Sequence, residues 1–422
     1  MKIMVVGGGG REHAIIKKVK QSPLVEEIFV LPGNAGMKND AICVDIGAKD
    51  LDGIVAFAKD NKIDYAIVAP DDPLVLGAVD RLQEIGIPCF GPEACAAIIE
   101  GSKIFSKNLM KKYNIPTARY EVFTDLQSAL DYLEGETYPT VIKADGLALG
   151  KGVVIAMNKN EAVEAVRSMM EDRMFGDSGS RVVIEEFLTG PEVSVLAFTD
   201  GKTVVPMVSS MDHKRALDND MGLNTGGMGT IAPNPYYTAD IAEVCMKDIF
   251  LPTINAMNAE GRTFKGCLYF GLMLTPNGPK VIEYNCRFGD PETQVVLPLL
   301  ESDLLTIMMA CTNGTLTSDM VKFSSGAACC VIMASGGYPK SYKSGFEITV
   351  EDGMKADIYF AGAKGADGRL VTAGGRVLGV TAVADDLASA INIAYENVKK
   401  VNFEGAHYRK DIGKRAMAAS GN

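Results

Sequence analysis

The chain has 422 residues, a formal net charge of −11 and a hydrophobic fraction of 47%. Its acidity excludes the basic footprint of nucleic-acid-binding domains, and no apolar run approaches the roughly 18 residues of a membrane-spanning helix. The nine cysteines show no CxxC or Cys/His metal spacing, so they predict buried free thiols in a reducing, cytoplasmic compartment. The length predicts about two to four domains.

The beginning of the chain alternates between strand-like and helical patterns. The strand-like runs are Ile3–Val6, Glu27–Leu31, Tyr65–Ala69 and Ile87–Phe90. This alternation predicts an open parallel α/β domain. Because the chain enters a strand at once, the sequence predicts no signal peptide.

Four consecutive glycines, Gly7–Gly10, separate the first strand from the first helix. Glycine allows positive φ and close approach of a ligand, and a helix N-terminus offers free N–H groups, so the loop predicts a phosphate site. A dinucleotide site would need an acidic residue after the second strand, but that strand runs into Pro32–Gly36. The prediction is therefore phosphate without NAD, and a tight turn with no ligand is the alternative.

The middle of the chain predicts two further lobes. From Thr117 to Glu186 the pattern predicts a small α+β lobe, with hairpin strands Thr140–Lys143 and Val153–Ala156 around a glycine-rich loop. A larger lobe follows at 187–320, and glycine-rich β segments such as Gly375–Thr381 follow it.

The glycine-rich loop of the small lobe reads Gly146-x3-Gly150-Lys151-Gly152. It is one spacer residue too short for a Walker A loop and lacks the Ser or Thr that would ligate magnesium. A glycine loop between two strands instead predicts a flap over nucleotide phosphates, and Lys143 is placed to reach the α- or β-phosphate. Solvated surface lysines are the alternative.

The stretch from Val182 to Gly190 alternates apolar and acidic residues. An adenine ring needs an apolar slot and a few backbone hydrogen bonds, which such a segment can supply. Glu192, just beyond, is a candidate for the ribose hydroxyls. A plain strand and turn is the alternative.

A second polar stretch reads KVIEYNCRFGDPETQ from Lys280. Side chains alternate along a strand, so Glu283, Asn285 and Arg287 share one face if the strand continues that far. Carboxylate and amide oxygens suit magnesium, and arginine binds phosphoryl or carboxylate groups in bidentate fashion. A surface salt-bridge ladder is the alternative.

A long polar segment at 212–229 contains Asp-His-Lys-Arg and Asn-Thr-Gly-Gly-Met-Gly. Connections of this length are usually functional or disordered. Asp212 is a candidate for holding a substrate ammonium group, and His213 is a candidate for acid–base chemistry.

Together these stretches resemble the ATP-grasp superfamily and, within it, the family of phosphoribosylamine–glycine ligases. The resemblance extends over 2–413 in family order. It rests on GGGGREHA, PGNAG, KADGLALGKGV, EEFLTGPEVSV, DHKR…NTGGMG, EYNCRFGDPETQ, GGRVLGVTA and YRKDIG.

The resemblance implies a multidomain architecture of the α/β and α+β classes. It consists of an N-terminal open parallel α/β domain at 1–100, a two-lobe ATP-grasp core at 101–325 with its small flap lobe at about 117–186, and a small β-rich C-terminal domain at 326–422.

The resemblance also implies a reaction. ATP phosphorylates the carboxylate of glycine, and the amine of 5-phosphoribosylamine attacks the resulting glycyl phosphate. The products are glycinamide ribonucleotide, ADP and phosphate, as in de novo purine biosynthesis, with Mg²⁺ or Mn²⁺ as the metal. A monomer or weak dimer in the cytoplasm is expected, with transient contact to the upstream amidotransferase and no nucleic-acid or membrane partner.

The same resemblance implies roles for particular residues. The implied ATP contacts are Lys103, Lys143, Glu185, Leu188 and Glu192. The implied metal ligands are Glu283 and Asn285. The implied catalytic residues are Asp212 and Arg287, for glycine and the acyl phosphate, and Lys151 in the flap. The implied phosphoribosyl contacts are Gly8, Gly9, Gly10, Asn34 and Arg376.

One departure concerns the metal. Many ATP-grasp sites carry a second acidic magnesium ligand on the strand before the EYN strand, but Cys267–Leu274 contains no acid. The same motifs leave two rival hypotheses about function. One is another ATP-grasp ligase, which carboxylates a purine intermediate or biotin, and the other is a non-catalytic nucleotide-binding protein.

Overall fold

The computed structural model describes residues 1–147, 152–172 and 179–419. Its first sheet has five parallel strands in the order β3-β2-β1-β4-β5. The strands are β1 (Lys2–Gly7), β2 (Glu27–Pro32), β3 (Ile42–Cys43), β4 (Tyr65–Val68) and β5 (Cys89–Phe90). The helices are α1 (Gly10–Val19), α2 (Leu51–Asp60), α3 (Asp71–Val75), α4 (Ala78–Glu84) and α5 (Ala94–Gly101), with a 3₁₀ turn at Ala35–Met37.

The runs of apolar residues in β1 and β4 explain this sheet. Parallel strands covered by helices on both faces read as continuous hydrophobic runs, and Ile3 to Val6 are all fully buried. The predicted open parallel α/β domain is therefore confirmed.

Helix α6 (Lys103–Lys112) leads into the small lobe, a four-stranded antiparallel sheet in the order β6-β9-β7-β8. Its strands are β6 (Tyr120–Phe123), β7 (Thr140–Ala144), β8 (Val153–Ala156) and β9 (Val182–Glu186). Its helices are α7 (Leu126–Leu133) and α8 (Lys159–Met170). The lobe has a hydrophobic core of its own, formed by residues between 129 and 184. The predicted hairpin of β7 and β8 is present.

The large lobe contains a second four-stranded antiparallel sheet, in the order β11-β10-β16-β17. The strands of this part of the chain are β10 (Glu192–Thr199), β11 (Val204–Pro206), β12 (Met211–Asp212), β13 (Arg215–Leu217), β14 (Met221–Asn224), β15 (Gly229–Ala232), β16 (Gly266–Thr275) and β17 (Gly278–Asn285). The helices are α9 (Ala239–Cys245), a π turn (Met246–Phe250), α10 (Leu251–Ala259), α11 (Thr293–Leu299) and α12 (Leu304–Asn313), with 3₁₀ turns at Asp218–Asp220 and Ser318–Met320.

The last part of the chain completes a five-stranded sheet in the order β12-β15-β18-β23-β20. The strands of this part of the chain are β18 (Ala327–Ala334), β19 (Thr349–Val350), β20 (Asp357–Phe360), β21 (Ala363–Ala366), β22 (Arg369–Thr372), β23 (Arg376–Ala384) and β24 (Val401–Asn402); β19 pairs with β24, and β21 with β22. Its helices are α13 (Leu387–Val398) and α14 (Lys414–Ala419).

Two strands of the five-stranded sheet, β12 and β15, come from the segment at 187–320 that is predicted to form the larger lobe. All four residues of β15 are buried, and β15 pairs with β18 along its whole length. Met211 and Ile231 accordingly belong to the hydrophobic core of the C-terminal sheet. The Asp212 segment is thus held by strands from both halves of the chain. The domain boundaries at 100 and 325 remain a prediction.

Candidate active site

A cavity of about 740 Å³ opens between the N-terminal part, the small lobe, the large lobe and the C-terminal sheet. That volume lies within the range of small-molecule sites. Elements of all four parts contribute side chains to its wall, so the cavity exists only in the assembled fold. One end lies under the small lobe and is called here the nucleotide end; the other lies against the C-terminal sheet and is called the acceptor end.

The nucleotide end has an apolar lining over a buried charged floor. The apolar side chains are Val141, Val153, Ile155, Leu188, Met273 and Ile282. In the floor, the Nζ atoms of Lys107 and Lys143 each lie 3.0 Å from Oε2 of Glu185. Leu188, Glu185 and Lys143 are therefore brought together as the sequence predicts.

Two further predicted ATP contacts, Lys103 and Glu192, also line the cavity. Lys103 donates from Nζ to the carbonyl oxygen of Gly146 at 2.8 Å, and burial lowers the pKa of Lys103. This bond ties α6 to the start of the glycine-rich loop. Lys151, the predicted flap lysine, lies outside the described residues.

The predicted metal ligands project from the end of β17 into the middle of the cavity. Glu283 and Asn285 both line it, as alternation along a strand requires. Burial raises the pKa of Glu283, but the charges of Lys214, Lys143 and Lys103 outweigh burial and leave that pKa below its ordinary value. The carboxylate is therefore ionised and faces a cluster of cations.

Arg287 reaches the cavity by another route than the one predicted. Strand β17 ends at Asn285, so the condition under which Arg287 would share a strand face with Glu283 and Asn285 is not met. The guanidinium is placed instead by Glu100, whose Oε1 lies 2.9 Å from Nη2 of Arg287, and Nη2 also lies 3.4 Å from Oδ1 of Asn285. Glu100 accepts the backbone N–H of Cys286 with its other oxygen at 2.7 Å, which fixes where β17 ends.

Lys214 stands between two of the predicted acidic residues. Its Nζ lies 3.2 Å from Oε2 of Glu192 and 3.7 Å from Oε1 of Glu283. The lysine therefore links the nucleotide end to the predicted metal ligands.

The acceptor end contains a pair of carboxyl groups. Burial and the nearby charge of Glu292 raise the pKa of Asp212 well above its ordinary value, and burial also raises the pKa of Glu292. Glu292 is held by Ser194 and Tyr269, at 3.3 and 3.2 Å from its Oε1, and its side chain does not cap α11. Two such carboxyl groups favour a bound cation or a shared proton.

Arg376 enters the acceptor end from the start of β23. Its Nη1 donates to the carbonyl oxygens of Gly226 and Asp290 at 2.7 and 2.8 Å, and its Nη2 lies 3.2 Å from Oδ2 of Asp290. The guanidinium thus fastens the glycine-rich loop of the large lobe to the segment that precedes α11.

Gly8, Gly9, Gly10 and Asn34 lie beside the cavity, where Asn34 contacts Gly8. Among the described residues, these four do not line the cavity. The Gly9 N–H donates to Oε2 of Glu12 at 2.6 Å, which caps α1. Asn34 donates from Nδ2 to the carbonyl oxygens of Gly8 and Phe360, at 2.9 and 3.0 Å. Asn34 therefore braces the glycine loop against the C-terminal part.

His213 is committed to backbone groups on both ring nitrogens. The Gly413 N–H donates to Nε2 at 3.1 Å, and Nδ1 lies 3.1 Å from the carbonyl oxygen of Gly229. Burial, followed by the charge of Arg409, lowers the pKa of His213 to about 4. The imidazole is neutral at pH 7 and holds the Asp212 segment to the end of the chain.

Comparison with known proteins decides the family. The chain matches the phosphoribosylglycinamide synthetase N domain over 1–100, its ATP-grasp (A) domain over 101–293 and its C domain over 328–415. The chain belongs to the phosphoribosylglycinamide synthetase family. The resemblance seen in the sequence is therefore confirmed, and the chain is an enzyme of the ATP-grasp ligase class.

Relatives of this family match over nearly their full length. A phosphoribosylamine–glycine ligase of Caldanaerobacter subterraneus is 49% identical over 98% of this chain and 99% of its own, and one of Pasteurella multocida is 48% identical over the whole of both. A crystal structure of the Thermotoga maritima phosphoribosylamine–glycine ligase has a TM-score of 0.86 and 35% identity, covering 98% and 100% of the two chains. The predicted ligation of glycine to phosphoribosylamine is confirmed at the level of the family.

A more distant neighbour shows the fold alone. The biotin carboxylase domain of the Hydrogenobacter thermophilus 2-oxoglutarate carboxylase has a TM-score of 0.75 at 17% identity, covering 96% of this chain and 91% of its own. The match to the ATP-grasp (A) domain and the likeness to the Thermotoga maritima structure confirm the predicted ATP-grasp architecture. None of the helices within the described ranges is long and apolar enough to cross a membrane.

Sequence reasoning missed two lysines of this family member's cavity. Lys107 lies four residues after Lys103 on α6, a spacing that places both on one helix face. Lys214 lies two residues after Asp212, on the same side of an extended segment. Both signals are local, but nothing in the sequence shows that these faces meet Glu185 and Glu283.

Proposed function

We propose that the cavity forms glycyl phosphate from ATP and glycine and passes the glycyl group to 5-phosphoribosylamine. One observation carries the proposal: a single cavity is lined by an apolar slot with two buried lysines, by Glu283, Asn285 and Arg287, and by a pair of carboxyl groups. These three sets of groups suit a base, a polyphosphate and an amino acid.

At the nucleotide end, ATP binds with its base in the apolar slot next to Leu188. Lys103 and Lys143 then neutralise phosphate charge, and Glu192 takes the ribose hydroxyls. Positioning and charge neutralisation are the main requirements of phosphoryl transfer. The role of Lys151 in the flap stays a prediction.

The residues at the end of β17 fit a divalent metal. Glu283 supplies an ionised carboxylate and Asn285 an amide oxygen, the hard donors that Mg²⁺ and Mn²⁺ prefer. No cluster of three or more His, Cys, Asp or Glu side chains suited to a metal occurs in the described part of the chain, so phosphate oxygens and water would complete the ligand sphere. When bound, such an ion neutralises charge on the transferred phosphoryl group.

Glycine lies at the acceptor end, with its ammonium group between Asp212 and Glu292 and its carboxylate toward Arg287. A glycine carboxylate oxygen bonds to the γ-phosphorus as the bond from that phosphorus to the ADP oxygen breaks. The amine nitrogen of phosphoribosylamine then bonds to the glycyl carbonyl carbon, phosphate leaves with the shared oxygen, and the nitrogen gives up one proton. Arg287 offsets charge on the acyl phosphate.

For the phosphoribosyl group we propose a place at the start of α1, beside the loop of Gly8, Gly9 and Gly10. A helix N-terminus favours an anion. Asn34 acts there by bracing Gly8, and Arg376 by holding the Asp290 segment that adjoins the loop.

For the cellular location and the association state we keep what the sequence predicts. We propose a cytoplasmic location, which the nine free cysteines support, and a monomer or weak dimer with transient contact to the upstream amidotransferase. Sedimentation velocity across a concentration series, with and without that amidotransferase, tests both associations.

The decisive experiment measures ADP release with ATP and Mg²⁺, with and without glycine, and with and without phosphoribosylamine generated in situ. We expect release to need both substrates and to be lost in Glu283→Ala but kept in Glu164→Ala, a change at an exposed glutamate of α8. Release with bicarbonate in place of glycine would overturn the substrate assignment. Nucleotide binding without turnover would overturn the ligase itself.

A further inference from the structure

The two carboxylate oxygens of Glu185 have unequal surroundings. Oε2 lies 3.0 Å from both Lys107 Nζ and Lys143 Nζ, whereas Oε1 is buried without a hydrogen-bond partner. The side chains of all three residues are at most 6% exposed. A buried acceptor left unpaired costs about 1–3 kcal/mol, so a ligand that donates to Oε1 gains by filling this position.

The chemistry of Oε1 selects among nucleobases. A carboxylate oxygen only accepts hydrogen bonds, and Glu185 lines the nucleotide end of the cavity beside the apolar slot. Adenine carries an exocyclic amine where guanine carries a carbonyl oxygen. The amine can donate to Oε1, but the carbonyl would place two acceptors against each other.

The two lysines that share Oε2 are not equivalent. Lys107 also donates to Oγ1 of Thr117 at 2.8 Å, and that hydroxyl donates to the carbonyl oxygen of Val281 at 2.7 Å. In addition, Nζ of Lys107 lies 5.5 Å from the centre of the Tyr120 ring. Lys107 is thus fixed by α6, the segment before β6 and the edge of β17.

Lys143 has fewer fixed partners. Its Nζ donates to the carbonyl oxygen of Ile282 at 3.0 Å besides contacting Glu185, which leaves one N–H for a ligand. Lys143 stands on β7, the strand that leads into the glycine-rich loop. A lysine in that position can turn to a phosphate only if Glu185 keeps another counter-ion.

We propose that Lys107 is a positioning residue that holds the Glu185 carboxylate with Oε1 toward the exocyclic amine of adenine. Lys107 thereby sets the preference for adenine over guanine nucleotides and leaves Lys143 available to the phosphates. The inference rests on the proposed ATP site and adds to it a residue that need not touch the nucleotide.

The charge of Lys107 makes this role depend on pH. Burial outweighs the attraction of Glu185 and lowers the pKa of Lys107 to about 8. The groups that face it are Glu185 and Glu186 of β9, Lys143 of β7 and Tyr120 of β6. As the pH rises through about 8, Lys107 loses its proton, and Lys143 alone then neutralises Glu185.

The test compares Lys107→Met and Lys107→Arg with Lys111→Met. Lys111 lies on the same helix, 5.7 Å from the same Tyr120 ring, and is exposed. Calorimetry measures the dissociation constants of ADP and GDP at pH 7, and kinetics measure kcat/KM for ATP from pH 6 to 9.5. Circular dichroism and thermal melting establish that each variant is folded.

We expect Lys107→Met to lower the ratio of ADP to GDP affinity by about tenfold or more, the effect of one hydrogen bond to a charged group. Lys111→Met keeps the wild-type ratio. In the wild type, kcat/KM for ATP falls above about pH 8, and Lys107→Arg removes this fall because arginine stays charged.

An unchanged ADP-to-GDP ratio in folded Lys107→Met would overturn the inference, as would an alkaline fall that persists in Lys107→Arg. If Lys107→Met does not fold, the pH profile of Lys107→Arg decides alone. Nucleotide binding needs neither glycine nor phosphoribosylamine, so a wild-type chain that prefers ADP but shows no glycine-dependent turnover refutes the proposed function and leaves this inference standing.

Discussion

The backbone N–H of Gly413 donates to Nε2 of His213 across 200 residues of sequence. Because Nε2 accepts, the neutral ring carries its proton on Nδ1 and donates it to the carbonyl oxygen of Gly229. The imidazole of His213 therefore joins the Asp212 segment to the end of the chain through hydrogen bonds to backbone groups. It has no nitrogen left for a substrate in this arrangement.

His213→Ala is expected to destabilise the chain above pH 6.5 by about 1–3 kcal/mol for each backbone group left without a partner. The folded-state pKa of about 4 lies below the 6.5 of an unfolded histidine. As the pH falls, the unfolded chain therefore binds a proton at His213 before the folded chain does. The wild type accordingly loses the contribution of His213 to the free energy of unfolding between pH 6.5 and pH 4, by up to about 1.4 kcal/mol per pH unit.

Urea unfolding of both proteins from pH 7.5 to 4 measures this difference. The stability gap between wild type and His213→Ala should narrow toward acid pH. A gap that stays constant over that range would show that the ring titrates equally in both states.

The glycine loop makes a separate prediction about packing. A Cβ on Gly8 would lie 2.7 Å from the carbonyl oxygen of Gly33, where neither backbone can give way easily. Gly8→Ala should lower the free energy of unfolding by about 1–3 kcal/mol. Gly47→Ala is the matched control, since its Cβ would have no atom within 4 Å. Equal midpoints of denaturant unfolding for the two variants would contradict the close approach.

Arg376 is expected to act on the acceptor end alone. Lysine is a point charge without the planar fork that reaches Gly226 and Asp290 together, so Arg376→Lys should lower kcat/KM for glycine and phosphoribosylamine by roughly 10- to 100-fold through misplacement. The KM for ATP should stay near the wild-type value. The control is Arg369→Lys, because Arg369 forms an exposed ion pair with Glu347 in the same part of the chain. A parallel loss of kcat/KM for all three substrates in Arg376→Lys would argue against a local role.

Lys214 is expected to compete with the metal for Glu283. Lys214→Met removes the cation 3.7 Å from Oε1 of Glu283, so the Mg²⁺ concentration for half-maximal activity should fall about two- to fivefold, the effect of a solvent-screened pair. The maximal rate should fall as well, because the acidic residues then face ATP without this charge. Lys202→Met, at an exposed turn of the large lobe, is the control, and a rise in the Mg²⁺ requirement would contradict the competition.

The local elements of this protein follow from the sequence. The apolar runs of β1 and β4, the hairpin of β7 and β8 and the alternation that puts Glu283 and Asn285 on one face of β17 are properties of short segments, set by strand geometry and by which faces are buried. The family motifs are equally local, so the sequence also determined the enzyme class.

The tertiary structure decided which of those faces meet. It ended β17 at Asn285 through Glu100, used Asn34 to brace Gly8, and recruited β12 and β15 into the C-terminal sheet. Arg376 reaches Asp290 and Lys107 reaches Glu185 only because separate elements pack together. Contacts of this kind depend on the relative placement of whole sheets and helices, a property of the assembled core that the periodicity of a single segment does not contain.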